Sequence, residues 1–283
     1  MKIIGAATGL GAQDPASGQG PDFLFQNTPE YSSYWKSIIH TNQKELNNNI
    51  SVEDKVQFLL PFFNNLSNEV KDVLKSDFPI VIGGDHSCAI GSWRGLLETS
   101  SKDVGLMWLD AHLDAHTFHT TPSKAIHGMP LACLLGYGSN DFLPNKILLP
   151  ENVVVFGARS YEAGEKELLD FLGVRIYETN EINKRGLKKC FDEALSIISK
   201  ESLDFGISLD LDMFEPNIIS GVCSKERDGL NPIEFIDVFQ QAKVEAYDNF
   251  KMLEIVEFAP SQDKNEETYK LIKKFIDIFL NKM

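Results

Sequence analysis

Asp110-Ala111-His112-Leu113-Asp114 holds two carboxylates and an imidazole at alternate positions, directly after the apolar run 104–109. Alternate residues on an extended chain point the same way, so these three side chains can converge just beyond a strand end. Acceptor-rich groups crowded there repel one another and desolvate badly unless something positive lies between them, and a metal ion is the simplest candidate. Asp210-Leu211-Asp212 repeats the pattern after the apolar run 204–209, and Gly83-Gly84-Asp85-His86 follows the run 78–82. The pooled donors are the carboxylates of Asp110, Asp114, Asp210 and Asp212 with the imidazoles of His86 and His112. Two divalent ions bridged by carboxylates and a hydroxide use such a set fully, whereas one ion leaves donors idle. Oxygen-rich ligation with two imidazoles suits manganese better than structural zinc; zinc, iron and cobalt remain open. Taken singly, an Asp-x-Asp is ordinarily a cap or a solvated loop; three such motifs at three strand ends are not.

The elements that must position these groups follow from the hydrophobic pattern. Residues 1–7 read as a first strand and 8–21 as a Gly/Pro/Ser-rich loop. Helical spacing marks residues 29–47 and, more strongly, 52–74. Further strands are expected at 78–82, 104–109, 152–156, 174–177, 204–209 and 252–258. Helices are expected at 88–98, through 135, up to 172, and over 181–200, 232–246 and 263–280. Continuous apolar strands alternating with helices indicate an α/β fold, a mainly parallel sheet covered on both faces. Ligands then bind outside the carboxyl ends of the strands, where His86, Asp110 to Asp114, Glu162, Asp210, Asp212 and Glu257 all fall.

At 283 residues and 43% hydrophobic content the chain can bury a sizeable core, and no composition shift divides 1–283 into separate domains. The formal charge of −14 argues against nucleic acid or an anionic membrane as partner and is compatible with a cationic substrate. No stretch approaches the roughly 20 apolar residues of a membrane helix. Cys88, Cys133, Cys190 and Cys223 are widely spaced, which argues against a disulfide framework and for free thiols in a cytoplasmic protein.

Gly83-Gly-Asp-His-Ser87, Asp110-Ala-His-Leu-Asp114, His127-Gly-Met-Pro130, Ser208-Leu-Asp-Leu-Asp212 and Glu257-Phe-Ala-Pro260 together resemble the ureohydrolase family, which contains arginase, agmatinase and related guanidino- and formimino-hydrolases. The resemblance covers nearly the whole chain. It implies a three-layer αβα fold, two manganese ions, and hydrolysis of a guanidino group to urea plus an amine by a metal-bridging hydroxide. Carried over by motif, His86, Asp110, Asp114 and Asp210 would hold one ion. His112, Asp110, Asp210 and Asp212 would hold the other, with Asp110 and Asp210 bridging. His127, Glu257 and Asp114 are the implied catalytic residues: His127 as proton shuttle, Glu257 as the carboxylate that meets the guanidinium. The family also implies a homo-oligomer, a trimer or hexamer.

Thr121 and Ser123 fall where arginases contact the substrate α-carboxylate, and Glu162 where an acidic residue meets the α-amino group. This favours L-arginine, giving L-ornithine and urea. Three features depart from the pattern: His116 stands where arginases usually carry Asn, Glu215-Pro216 replaces Asp-Pro, and segment 217–229 lacks the usual Thr-Gly-Thr-Pro character. The alternatives are a ureohydrolase for agmatine, guanidinobutyrate or formiminoglutamate, a catalytically silent arginase-like binding protein, and a mononuclear zinc deacetylase on a related fold.

Overall fold

The computed structural model describes residues 1–41 and 51–280. Eight strands, β1 (Lys2–Ala7), β2 (Trp35–His40), β3 (Pro79–Gly83), β4 (Asp103–Leu109), β5 (Val153–Ala158), β6 (Arg175–Glu178), β7 (Leu203–Asp210) and β8 (Phe250–Val256), form one sheet in the order β2-β1-β3-β8-β7-β4-β5-β6. Every pairing is parallel. Parallel strands need crossovers, and these contain the helices α1 (Gly20–Asn27), α2 (Val52–Val73), α3 (Ala89–Thr99), α4 (Pro130–Leu134), α5 (Ala163–Leu172), α6 (Thr179–Arg185), α7 (Leu187–Ile198) and α8 (Pro232–Ala242), while α9 (Glu267–Leu280) follows the last strand.

Strand side chains alternate between two buried cores. Met107, Leu109, Phe205, Ile207, Leu209, Leu253 and Ile255 pack with Leu24 of α1 and with α6 to α9. Val104, Leu106, Trp108, Val153 and Val155 pack with α2 to α5 on the other face. Burial on both sides is why the strands read as unbroken apolar runs. The expected three-layer α/β architecture is therefore the observed one. The chain leaves a gap after β3, places β4 beyond it, and later fills it with β7 and β8. Consequently the ends of β3, β8, β7 and β4, four contiguous central strands, meet along one stretch of the sheet's carboxyl edge.

Several boundaries differ from expectation. Residues 35–40, read as part of a helix over 29–47, form the edge strand β2 on β1; positions 42–47 of that reading lie outside the described residues. Its partly buried, β-branched Ile38 and Ile39 suit an edge strand, and tertiary pairing overrides the helical spacing. The loop read at 8–21 gives way to α1 at Gly20, where Pro21 and Asp22 suit a first helical turn. The helix expected over 181–200 is two, broken at Gly186 with φ +95°. Helix α8 ends at Ala242 because Lys243 turns left-handed, φ +50°. Helix α9 begins at Glu267; Asp263, read as its start, instead accepts the Thr268 and Tyr269 amides at 3.0 and 2.9 Å. Among the described residues no helix is long and apolar enough to cross a membrane.

Candidate metal centre and substrate cavity

Beyond β3 the chain must turn sharply against the loop after β1. A Cβ on Gly84 would overlap the Thr8 carbonyl, so only glycine allows this approach. The Asp85 carboxylate then ties the two loops, accepting the Gly11 amide at 2.9 Å and the Ser87 amide at 3.0 Å. His86 is delivered to the sheet edge with its ring stacked on Trp108, centroids 4.0 Å apart and planes 5° from parallel. Its Nδ1 lies 3.1 Å from Asp110 Oδ2, 3.1 Å from Asp114 Oδ2 and 3.2 Å from Asp210 Oδ2, yet it makes no hydrogen bond. A buried nitrogen facing three carboxylates without a bond to any of them fits a cation between the four groups.

Asp110 has its other oxygen in a second cluster. Its Oδ1 lies 3.3 Å from His112 Nδ1, which is itself 3.1 Å from Asp212 Oδ2. Backbone amides set the carboxylates: His112 N–H donates to Asp110 Oδ1 at 2.7 Å and Asp212 N–H to Asp210 Oδ1 at 2.9 Å. The donor sets His86/Asp110/Asp114 and Asp110/His112/Asp212 are each compact enough for one ion and share Asp110. Asp114 is held left-handed, φ +48°, a conformation that costs about 1–3 kcal/mol in a non-glycine residue and persists where its surroundings enforce it.

The electrostatics show what the cluster lacks. Burial first, then the charges of Asp212 and Asp110, raises the Asp210 carboxyl well above its usual range. Burial and the Asp110 charge push Asp114 up to about 6. Burial would raise Asp110 as well, but the nearby imidazoles of His112 and His86 hold it low. Without positive charge the crowded carboxylates hold on to protons; divalent cations would replace those protons.

Next to the cluster is a cavity of about 140 Å³, lined by His112, Asp114, His116, Ser123, His127, Glu162, Glu165, Asp210, Asp212, Ser224 and Glu257 among others. Glu257, also left-handed at φ +66°, is pinned by its amide on the Gly84 carbonyl at 2.7 Å. Its Oε1 accepts the His86 amide at 2.9 Å and lies 3.1 Å from His127 Nδ1, while its buried Oε2 has no partner. Burial alone would lower the His127 pKa, but the bond to Glu257 and that residue's charge outweigh it and push His127 up to about 9. The same contact keeps Glu257 below its ordinary value against the opposing effect of burial.

At the outer end of the cavity, His116 Nε2 lies 2.9 Å from Glu162 Oε2 and 3.3 Å from Glu165 Oε2, and its Nδ1 lies 3.1 Å from Thr120 Oγ1. Glu165 accepts the amides of Ala115 and Glu162 at 3.2 and 3.0 Å, and burial pushes its carboxyl up to about 8. Of the residues singled out in the sequence, Thr121 is not in the cavity lining; its hydroxyl accepts the Lys124 amide at 3.0 Å. The others named for the site are brought together.

Sequence reasoning missed Glu165, Ser208, Glu254 and Arg159. The Arg159 guanidinium donates to five backbone carbonyls, those of Gly157, Asp212, Met213, Glu226 and Arg227, clamping segment 226–227 against the Asp212 turn. The phase of Ser208 with Asp210 was available as a signal, because both point to one face of the same strand.

The three-layer fold and the histidine–carboxylate cluster at its carboxyl edge define a hydrolase of the ureohydrolase class. The arginase family model matches residues 1–280, and the chain belongs to that family. It is similar to an arginase of Bacillus subtilis, 34% identical over 250 residues, 85% of this chain and 79% of the relative. An arginase of Brevibacillus brevis is 41% identical over 162 residues, 56% of this chain and only 54% of that relative. The crystal structure of Bacillus caldovelox arginase superposes with a TM-score of 0.89 at 27% identity, covering 98% of this chain and 97% of that one.

Proposed function

We propose that this chain hydrolyses L-arginine to L-ornithine and urea with two manganese ions. The observation that carries the reading is Asp110: its two oxygens face two different imidazoles, His86 and His112, within two donor sets beside one cavity. His86, Asp110, Asp114 and Asp210 would hold one ion, and Asp110, His112, Asp210 and Asp212 the other. When bound, the pair supplies a water activated for attack near neutral pH and neutralises the crowded carboxylates.

The chain's own residues supply the rest. Glu257 is anionic, lines the cavity and has one buried oxygen without a partner, so it can receive the guanidinium through charge-assisted hydrogen bonds. His127, protonated at neutral pH by its contact with Glu257, is placed to give a proton to the departing amine nitrogen. Glu162 offers a carboxylate to the α-amino group at the far end, and Ser123 a hydroxyl to the α-carboxylate. A trimer or hexamer of such chains belongs to the same reading.

A second reading, another guanidino or formimino substrate, is favoured by His116. Both of its ring nitrogens are already engaged by Glu162, Glu165 and Thr120, which leaves no free donor there for an α-carboxylate. Manganese-loaded protein should release urea from L-arginine faster than from agmatine or guanidinobutyrate. No urea from arginine, with turnover of agmatine, guanidinobutyrate or formiminoglutamate, would shift the assignment to the second reading.

A further inference from the structure

Two residues below the ligand-bearing strand ends, Trp108, Ser208 and Glu254 stand in register across β4, β7 and β8. All three are fully buried, and they share the sheet face that packs on α3. A carboxylate at this depth is expensive unless its oxygens are bonded. Glu254 meets that condition with neutral donors: the Trp93 indole at 2.9 Å and the Ser208 hydroxyl at 2.7 Å on Oε2, the Ser92 hydroxyl on Oε1, and the Cys88 thiol at 3.8 Å. The row below it is built to make room. Gly206 lies in the same phase on β7, and a Cβ there would come within 2.9 Å of Trp93.

The hydroxyl of Ser208 also lies 2.9 Å from His86 Nε2. With Glu254 ionised, the proton order along these atoms is fixed. Glu254 can only accept from Ser208 when ionised, so Ser208 spends its proton on Glu254 and must accept from His86 Nε2–H. That places the His86 proton on Nε2 and leaves Nδ1 with a free lone pair. Nδ1 is the nitrogen aimed at Asp110, Asp114 and Asp210. Stacking on Trp108, whose own Nε1–H donates to Asp110 Oδ2 at 2.9 Å, fixes the plane of the ring.

We infer that Glu254 is a positioning residue for the metal centre: through Ser208 it fixes the tautomer and orientation of His86 and places a buried negative charge behind one of the two ion positions. The inference rests on the two-metal reading of the site. It differs from a purely structural role, in which Glu254 merely ties α3 to the sheet through Ser92 and Trp93. Ser208→Ala separates the two, because it cuts the path to His86 and leaves the bonds from Ser92 and Trp93 in place.

The test is manganese binding by the full-length protein, followed by equilibrium dialysis and by the electron paramagnetic resonance signal of a coupled manganese pair. Wild type should bind two ions. In both Ser208→Ala and Glu254→Gln one ion should be retained at wild-type affinity and the other bound roughly 10- to 100-fold more weakly, with the coupled signal replaced by that of an isolated ion. Two ions at wild-type affinity in Ser208→Ala would overturn the inference while leaving the two-metal reading intact. Fewer than two ions in the wild type would overturn both. If Glu254→Gln does not fold, Ser208→Ala decides the question alone, since it removes a single hydroxyl.

Discussion

Glu257→Gln should lower the pKa of His127 sharply. The two side chains meet at 3.1 Å, and the His127 side chain keeps only 25% of its surface exposed. With Glu257 ionised, His127 rises from 6.5 to about 9. At about 1.4 kcal/mol per pH unit, this shift is worth roughly 3 kcal/mol of preference for the protonated ring in the folded state. Because the folded pKa lies above the unfolded one, the stabilisation is complete below pH 6.5 and is lost as pH rises to about 9. Glutamine keeps the shape and an acceptor for the His86 amide but removes the charge, so burial, which disfavours the imidazolium, becomes the dominant influence. The assay is the pH titration of the His127 ring by NMR in chelator-treated protein, paired with urea unfolding at the two ends of the window. Wild type should lose about 3 kcal/mol more stability across it than the variant. Other groups titrating there, notably Glu165 at about 8, cancel in the difference. A His127 that still titrates near 9 in the variant, or near 6.5 in the wild type, refutes the assignment of Glu257 as the cause.

Asp110→Ala removes a carboxylate shared by both ion positions; manganese content should drop below two ions per chain and urea release should disappear, and retention of either contradicts the shared-ligand reading. His127→Ala touches neither donor set, so both ions should remain while kcat falls by roughly 10²- to 10⁴-fold; loss of metal would instead mark His127 as part of the cluster. Gly84→Ala drives a methyl group into the Thr8 backbone carbonyl, which no side-chain rotation relieves. Its thermal unfolding should shift down by the equivalent of about 1–3 kcal/mol, and an unchanged midpoint would show that the loop can yield.

The layers were legible because parallel strands buried on both faces produce local, unbroken apolar runs such as 104–109 and 204–209. The cluster was legible for a related reason: a strand's two-residue period makes Asp-x-His-x-Asp and Asp-x-Asp converge whatever else the chain does. The edge strand β2 was not, since half-exposed edge residues carry no continuous apolar signal and its identity depends on pairing with β1. Helix α1 was hidden by the glycines and prolines of its own first turn and the segment before it.

What the sequence determined by itself is therefore the inventory: which strand ends carry imidazoles and carboxylates, and on which side of each strand they point. Only the tertiary structure decided who meets whom. The order β3-β8-β7-β4 arises from contacts far apart in sequence, and it alone puts His86 beside Asp210 and Glu257 beside His127. The left-handed turns at Asp114 and Glu257, the proton order from His86 to Glu254, and the engagement of His116 by Glu162 and Glu165 belong to the same category. Each depends on a partner brought in from another element, and local periodicity carries no information about that.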